Sequence, residues 1–282
     1  MPESDIGYHC NRLSYFDKAI TENGLSRGEF YNFPAEDIAT LKKQLISQNL
    51  ARSIHSPLVK PDWYPDPPTW SFLCDVDKDS RNRTFKMITQ TLDYAEEIEA
   101  DYIVVHFPTR STDAAGESQE KLLSIAWESC ERLAELTVKR GIPIHIEGLG
   151  NSPYLNDGFL IEMLSQYPLR YCFDTGHMHL ASKLDAFDIY GFAEQLAPFV
   201  GSVHLWNNRG HDDYLAFRHV AVHPSQSPEG GWADIKRLLE ILKPSCPIIL
   251  ENPLHYPKSL GNYDYRDGLR WVKEILQCTL ES

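Results

Sequence analysis

The sequence predicts an α/β protein folded as a single eight-stranded (β/α)8 barrel that takes in residues 1–282. Three observations lead there. Short apolar runs alternate with longer amphipathic segments from end to end. The runs are rich in β-branched and aromatic residues and lack polar alternation, as parallel strands buried on both faces do. The length, 282 residues, suits one such barrel, which takes roughly 250 residues as a unit.

The elements follow in order. Ile6–Cys10 and Gly28–Tyr31 are the first two strands. Pro34 starts a helix with Ile38, Leu41 and Leu45 on its inner face. Arg52–His55 is the third strand. Pro57–Pro68 follows, rich in Pro and aromatics (Trp63, Tyr64, with Trp70 just beyond), and reads as a structured loop over the barrel mouth. A helix from about Arg81 to Ala100 keeps Phe85, Ile88, Leu92 and Ala95 in register. After the strand Tyr102–Phe107, the clearest helix runs from Gln119 to Arg140. Its stripe is Leu122, Ala126, Cys130, Leu133 and Thr137, and Gly141 stands just past its end. Strands Ile142–Ile146, Tyr171–Phe173, Ser202–Trp206 and Pro247–Leu250 alternate with helices Phe159–Ser165, Ile189–Leu196, Trp232–Leu242 and Tyr265–Leu280. A doubly wound open sheet would show a Gly-rich turn after the first strand, and Gly7-Tyr8-His9-Cys10-Asn11 supplies none.

Bulk properties bound the function. At 42% hydrophobic and 24% charged, the chain has material for one large core. Lys plus Arg total 27 against 40 Asp plus Glu, a formal charge of −13. That balance argues against broad binding to nucleic acid or anionic membranes, which relies on positive surface. Met1-Pro2-Glu3-Ser4-Asp5 has neither a basic nor an apolar region and does not read as a signal peptide. No apolar run approaches the roughly 20 residues of a membrane span. The cysteines Cys10, Cys74, Cys130, Cys172, Cys246 and Cys278 form no C-x-x-C pair and read as reduced thiols of a cytoplasmic protein.

In such a barrel the active site lies at the C-terminal ends of the strands. Those positions hold His9, Glu29, His55, His106, Glu147, Asp174, His204 and Glu251. Any one of them reads as readily as a cap or a hydrogen-bonded core residue. Together they do not, because several carboxylates converging on one mouth repel and resist desolvation unless a cation neutralises them. Carboxylate with imidazole suits Zn²⁺, Mn²⁺, Co²⁺ or Fe²⁺.

Four motifs carry the chemistry. They are Ile144-His145-Ile146-Glu147-Gly148-Leu149-Gly150, Cys172-Phe173-Asp174-Thr175-Gly176-His177, Ser202-Val203-His204-Leu205-Trp206 and Ile248-Ile249-Leu250-Glu251-Asn252-Pro253. In the second, Gly176 is read as permitting a tight turn that folds His177 back over the site. In this order and spacing the motifs resemble the xylose-isomerase-like TIM barrels, the superfamily joining sugar isomerases and epimerases to endonuclease IV. The resemblance covers nearly the whole chain.

It implies that Glu147, Asp174, His204 and Glu251 bind one divalent metal (Mn, Zn, Co or Mg). It implies that Glu147 and Glu251 act as acid and base in isomerising or epimerising a sugar, sugar phosphate or cyclitol, and that His177 contacts substrate. Endonuclease IV, the phosphodiesterase branch, needs two more strand-end histidines, and His55 and His106 fall there, so a second metal at His55, His106 and Glu147 stays open. That branch's D-R-H motif reads Phe217-Arg218-His219, so a carboxylate ligand is missing, and Asp212 and Asp213 are out of register. Its H-A-P-Y motif reads His55-Ser56-Pro57-Leu58, and the segment 201–231 holds only Arg209 and Arg218 as Lys or Arg. A small carbohydrate is thus the expected partner rather than nucleic acid. Homo-oligomers are common in the resembled family, and no segment here specifies one.

The remaining candidates are local. His9 and Arg218 stand as substrate contacts, and His219 and His223 could reach metal or substrate or cap a long loop. His145 should lie one layer below Glu147 on the same strand face and be structural, as should His179. Trp63, Tyr64, Trp70 and Trp206 read as packing or, together, as a stacking floor for a sugar ring. Trp206 is the best of these, sharing a face with His204.

Overall fold

The computed structural model describes residues 5–107, 117–148, 158–185 and 187–280. Leu149 and Gly150 of the first motif, and Met1–Ser4 at the start, lie outside the described residues. Parallel strands close in sequence order into one barrel. They are β1 (Ile6–Cys10), β2 (Arg27–Phe30), β3 (Ala51–His55), β4 (Ile103–His106), β5 (Ile144–Glu147), β6 (Arg170–Asp174), β7 (Val200–Leu205) and β8 (Ile248–Leu250). Around them run α1 (Leu13–Ala19), α2 (Ile38–Ser47), α3 (Lys78–Ile98), α4 (Gln119–Arg140), α5 (Phe159–Gln166), α6 (Thr175–Asp185), α7 (Ile189–Leu196), α8 (His211–Phe217), α9 (Ile235–Leu242) and α10 (Tyr265–Leu280). No described helix is long and apolar enough to cross a membrane.

The apolar core is a ring outside the barrel wall. Ile54, Ile103, Val105, Ile144, Ile146, Phe173 and Leu205 pack outward against Phe85, Ile88, Leu92, Ala126, Leu133 and Met163 of the helices. Every second residue then points inward, and the interior is polar. Near the base, Arg27 is held by Asp5 at 2.7 Å and Asp101 at 2.8 Å. Above it the His145 ring stacks on Tyr102 with centroids 4.1 Å apart, and its Nδ1 lies 2.9 Å from Ser202 Oγ. His145 is thus the structural residue of the lower layer.

Sequence and structure differ at helix starts. α3 begins at Lys78 rather than Arg81, because the Asp77 side chain accepts hydrogen bonds from the Asp79 and Ser80 amides. α9 begins at Ile235 rather than Trp232, where Asp234 accepts from the Arg237 amide. The buried face of α4 is wider than the expected stripe and takes in Ile125 and Ser129. Three short helices had no sequence signal: α1, α6 and α8. The turn expected at Gly176 does not exist. α6 starts directly after Asp174, with Gly176 inside its first turn.

The Asp77 cap gives a direct check. Asp77→Ala should lower unfolding stability by about 1 kcal/mol, read by urea denaturation, because two first-turn amides lose their acceptor. An unchanged midpoint would contradict the capping role.

Candidate metal centre

The register of the strands brings the site together. His106 pairs across from Glu147, and Asp174 from His204. In a parallel sheet such partners stand side by side on the same face, so the four side chains meet on the inner wall at one level. Glu29, Glu147, Asp174 and His204 are fully buried or nearly so, and Glu251 is 8% exposed.

His204 is the hub. Its Nδ1 makes no hydrogen bond although it is buried. Glu251 Oε1 lies 3.3 Å from it and Glu147 Oε2 3.5 Å. His55 Nε2 and His106 Nε2 approach the same Glu147 oxygen at 3.2 and 3.4 Å. Two ligands about 2.1 Å from one ion at a tetrahedral angle stand about 3.4 Å apart. The side chains therefore fit a shared divalent cation. His55, His106 and Glu147 form one compact group of donor atoms; His55, His204 and Glu251 form another, and Glu147, Asp174 and His177 a third. Glu147 belongs to two of them.

The charges agree with a cation-requiring site. Burial, reinforced by the charge of Glu147, pushes the Asp174 carboxyl up to about 6. Burial also holds Glu251 well above the usual carboxylate range, with Glu147 and Asp174 adding to it. Burial resists ionisation of Glu147 too, but the facing His106 and His204 outweigh it and hold it well below. Burial depresses His55, and it drives His177 and His219 down to about 4, so these imidazoles are neutral donors at pH 7.

Each donor is aimed by a neighbour. Glu29 Oε1 lies 2.8 Å from His204 Nε2, and its other oxygen accepts from Ser53 Oγ at 2.9 Å. This carboxylate–imidazole pair turns His204 Nδ1 toward the site. Thr69 O, on the loop after β3, lies 2.8 Å from His106 Nδ1. The indole Nε1–H of Trp206 donates to Asp174 Oδ2 at 2.8 Å, and the His177 amide donates to Asp174 Oδ1 at 2.5 Å.

Trp206 therefore differs from the expected stacking floor. It is 0% exposed, packed with its ring parallel to His219 at 4.0 Å, and the ring lies against Gly176. A Cβ on Gly176 would stand 2.1 Å from the indole. Gly176 is needed for that close packing, not for a turn.

Above the donors lies a cavity of about 480 Å³ bordered by His9, Tyr31, His55, Trp70, His106, Glu147, His177, Tyr214, His219 and Glu251. His9 and His219 thus join the site, with His9 Nδ1 3.8 Å from Glu251 Oε1 and His219 Nδ1 3.7 Å from Glu251 Oε2. Of the loop aromatics only Trp70 borders the cavity. Tyr64 is buried, and Trp63 is at the surface under Lys86 Nζ, 4.2 Å from its ring centre. His223 is not brought in. It pairs with Ser225 at 2.7 Å and stacks on Tyr263 at 4.0 Å. Arg218 stands exposed at the rim. Tyr31 and Tyr214 were not singled out from the sequence, since Tyr31 follows the end of β2 and Tyr214 lies on α8, a helix without sequence signal.

Residues 6–275 match the family described as xylose isomerase-like TIM barrel. The chain belongs to this family. Among curated proteins none matches it. Its fold is similar to that of a D-tagatose 3-epimerase-like protein, at 19% identity and a TM-score of 0.72 over 98% of both chains. It is also similar to the IOLI protein with a bound zinc atom, at 12% identity and a TM-score of 0.66, covering 98% of this chain and 96% of that one. Endonuclease IV from Thermus thermophilus superposes at 17% identity and a TM-score of 0.57, covering 98% of this chain and 99% of that one. These likenesses carry the fold.

Two outcomes follow for metal binding. Glu29→Gln should weaken zinc affinity about 10- to 100-fold, read by competition with a chromophoric chelator, because His204 loses its orienting carboxylate; an unaltered affinity would remove Glu29 from the site. Asp174 takes a proton below about pH 6, and a protonated carboxyl cannot ligate. Zinc affinity should therefore fall as pH drops through about 6, by about tenfold per pH unit for one competing proton. A flat profile from pH 5 to 7 would contradict this.

Proposed function

We propose that the protein is a metal-dependent isomerase or epimerase acting on a sugar, sugar phosphate or cyclitol. The metal would be held by Glu147, Asp174, His204 and Glu251. One observation carries the reading: Glu147 and Glu251, from strands separated by two others, both border one cavity and both lie within 3.5 Å of the buried Nδ1 of His204. A substrate seated there lies between two carboxylates that approach from different sides.

Two carboxylates so placed suit proton transfer in which one Glu accepts a proton from carbon and the same or the opposite Glu returns it. A divalent ion (Mn, Zn, Co or Mg) would supply the positive charge that favours negative charge on the substrate oxygens. His177 and His219, neutral and beside the same cavity, can hydrogen-bond hydroxyls, His219 as an acceptor through Nε2 because its Nδ1–H donates to Glu251 O at 2.7 Å. The zinc atom of the similar IOLI structure and the epimerase name of another similar structure support the reading.

A second reading, a zinc phosphodiesterase acting on abasic DNA, is favoured by the compact group of His55, His106 and Glu147, which suits a second metal. Its motif lacks the carboxylate that should precede Arg218 and His219. Phe217 stands in the motif's place, and Asp213 is bound by both edges of Arg209 at 2.5 and 3.0 Å.

The test is proton exchange. Protein loaded with Mn²⁺ or Co²⁺ should move deuterium from D₂O into a carbon position of at least one member of a panel of sugars, sugar phosphates and cyclitols. Glu147→Gln and Glu251→Gln should each lower that rate about 10²- to 10⁴-fold. Cleavage of abasic DNA, with three tightly bound zincs per chain and no exchange, would assign the second reading instead.

A further inference from the structure

The cavity over the carboxylates continues sideways. A second cavity of about 690 Å³ adjoins it, and the two share His9, Tyr214, His219 and Glu251. The first ends at Glu147 and His55. The second ends at Arg12, on the loop between β1 and α1, and Arg218, just past α8.

Those arginines are unlike most others in the chain. Arg27, Arg52, Arg140 and Arg209 each face an acidic side chain at hydrogen-bond distance. Arg12 and Arg218 are exposed and have no acidic partner among the described residues. Their known contacts are with rings, Arg12 over Tyr15 at 5.7 Å and Arg218 over Tyr214 at 5.4 Å. Such contacts use the face of the guanidinium and leave its N–H edge available. Arg218 also has a backbone φ of 59° with ψ of −126°, a conformation non-glycine residues rarely adopt. A chain of formal charge −13 thus places two cations without acidic partners at one end of its substrate cavity.

We infer that Arg12 and Arg218 form a subsite for a phosphate monoester on the substrate, so that the protein acts on a phosphorylated sugar or cyclitol. The inference rests on the isomerase or epimerase reading above. A phosphate monoester carries a charge of about −1.5 to −2 at pH 7 and several strong acceptors. Two guanidinium forks match both its charge and its geometry, whereas a carboxylate is matched by one. The shared wall sets the substrate's course: the reacting carbon lies beside Glu251, and the phosphate lies past Tyr214 at the arginines.

The probe is inorganic phosphate, titrated calorimetrically into the zinc-loaded protein. Arg12→Gln and Arg218→Gln should each raise its Kd about tenfold or more, as expected for a lost charge-assisted hydrogen bond. Bound zinc should be unchanged in both variants. Arg12→Lys and Arg218→Lys should recover part of the affinity, since the charge returns without the fork. Arg209→Gln, which alters an arginine already held by Asp213, should leave Kd within about twofold. Three results would overturn the subsite: glutamine variants that bind phosphate like the parent, acetate binding as tightly as phosphate, or an arginine dependence seen only with an abasic DNA duplex. If the parent protein binds no zinc, the failure lies in the functional reading; if zinc is retained and phosphate binding is indifferent to both arginines, it lies in the subsite.

Discussion

Burial of Glu29, Glu147, Asp174 and Glu251 in the interior of one barrel is the constraint on which the upper half of the molecule depends. Burying a single unpaired carboxylate costs several kcal/mol even after relaxation. Here four share one space, and burial alone pushes Asp174 and Glu251 toward their protonated forms. Imidazoles placed among them relieve part of that cost. The relief is uneven: Glu147, with His55, His106 and His204 beside it, and Glu29, paired with His204, are the acids held ionised. A divalent cation held among these donors would offset the charge that the imidazoles leave uncompensated.

Much of the surrounding structure serves to hold the donors in place. The start of α6 lies where the His177 amide can reach Asp174, and the indole of Trp206 takes the other oxygen. That indole can lie there only because residue 176 has no side chain. Thr69, on a long aromatic loop, aims His106, and Glu29 aims His204 from below. The barrel itself sets the level at which these groups meet. Pairing of His106 with Glu147 and of Asp174 with His204 is a matter of register, and a one-residue slip would turn every donor outward into the apolar ring.

How much of this could be read from the sequence follows from the same physics. The strands were legible because each is buried on both faces, so an apolar run ends abruptly at an ionisable residue, as in Ile103–His106 and Ile144–Glu147. The long helices α3, α4 and α10 were legible because one face meets the apolar ring and repeats with helical period. α6 was not, because His177 and His179 interrupt its apolar pattern and it carries a glycine in its first turn. Its burial comes partly from the site rather than from the core. Trp206 was placed on the correct face, but its exposure depends on Gly176 and His219, which lie apart from it in the chain. Glu29 comes from a short run with Phe30 and Tyr31 after it, and only the closed barrel brings it against His204.

The two rims of the mouth are chemically unequal, and this bears on the reaction. Toward β3 and β4, His55 and His106 add two imidazole nitrogens next to an ionised Glu147, more than one cation needs. Toward α8, His177 and His219 face each other at 5.7 Å with Phe217, not an acid, in the neighbouring motif position, and Asp213 is committed to Arg209. A metal on that side would find Asp174 and Glu147 beside His177 and Glu251 beside His219, but not the motif's own carboxylate. The same two imidazoles are neutral and border the cavity, and the proton of His219 is committed to Glu251 O, which leaves its Nε2 as an acceptor. Where the nuclease motif has its carboxylate, this chain therefore has an aromatic side chain two residues before a neutral imidazole.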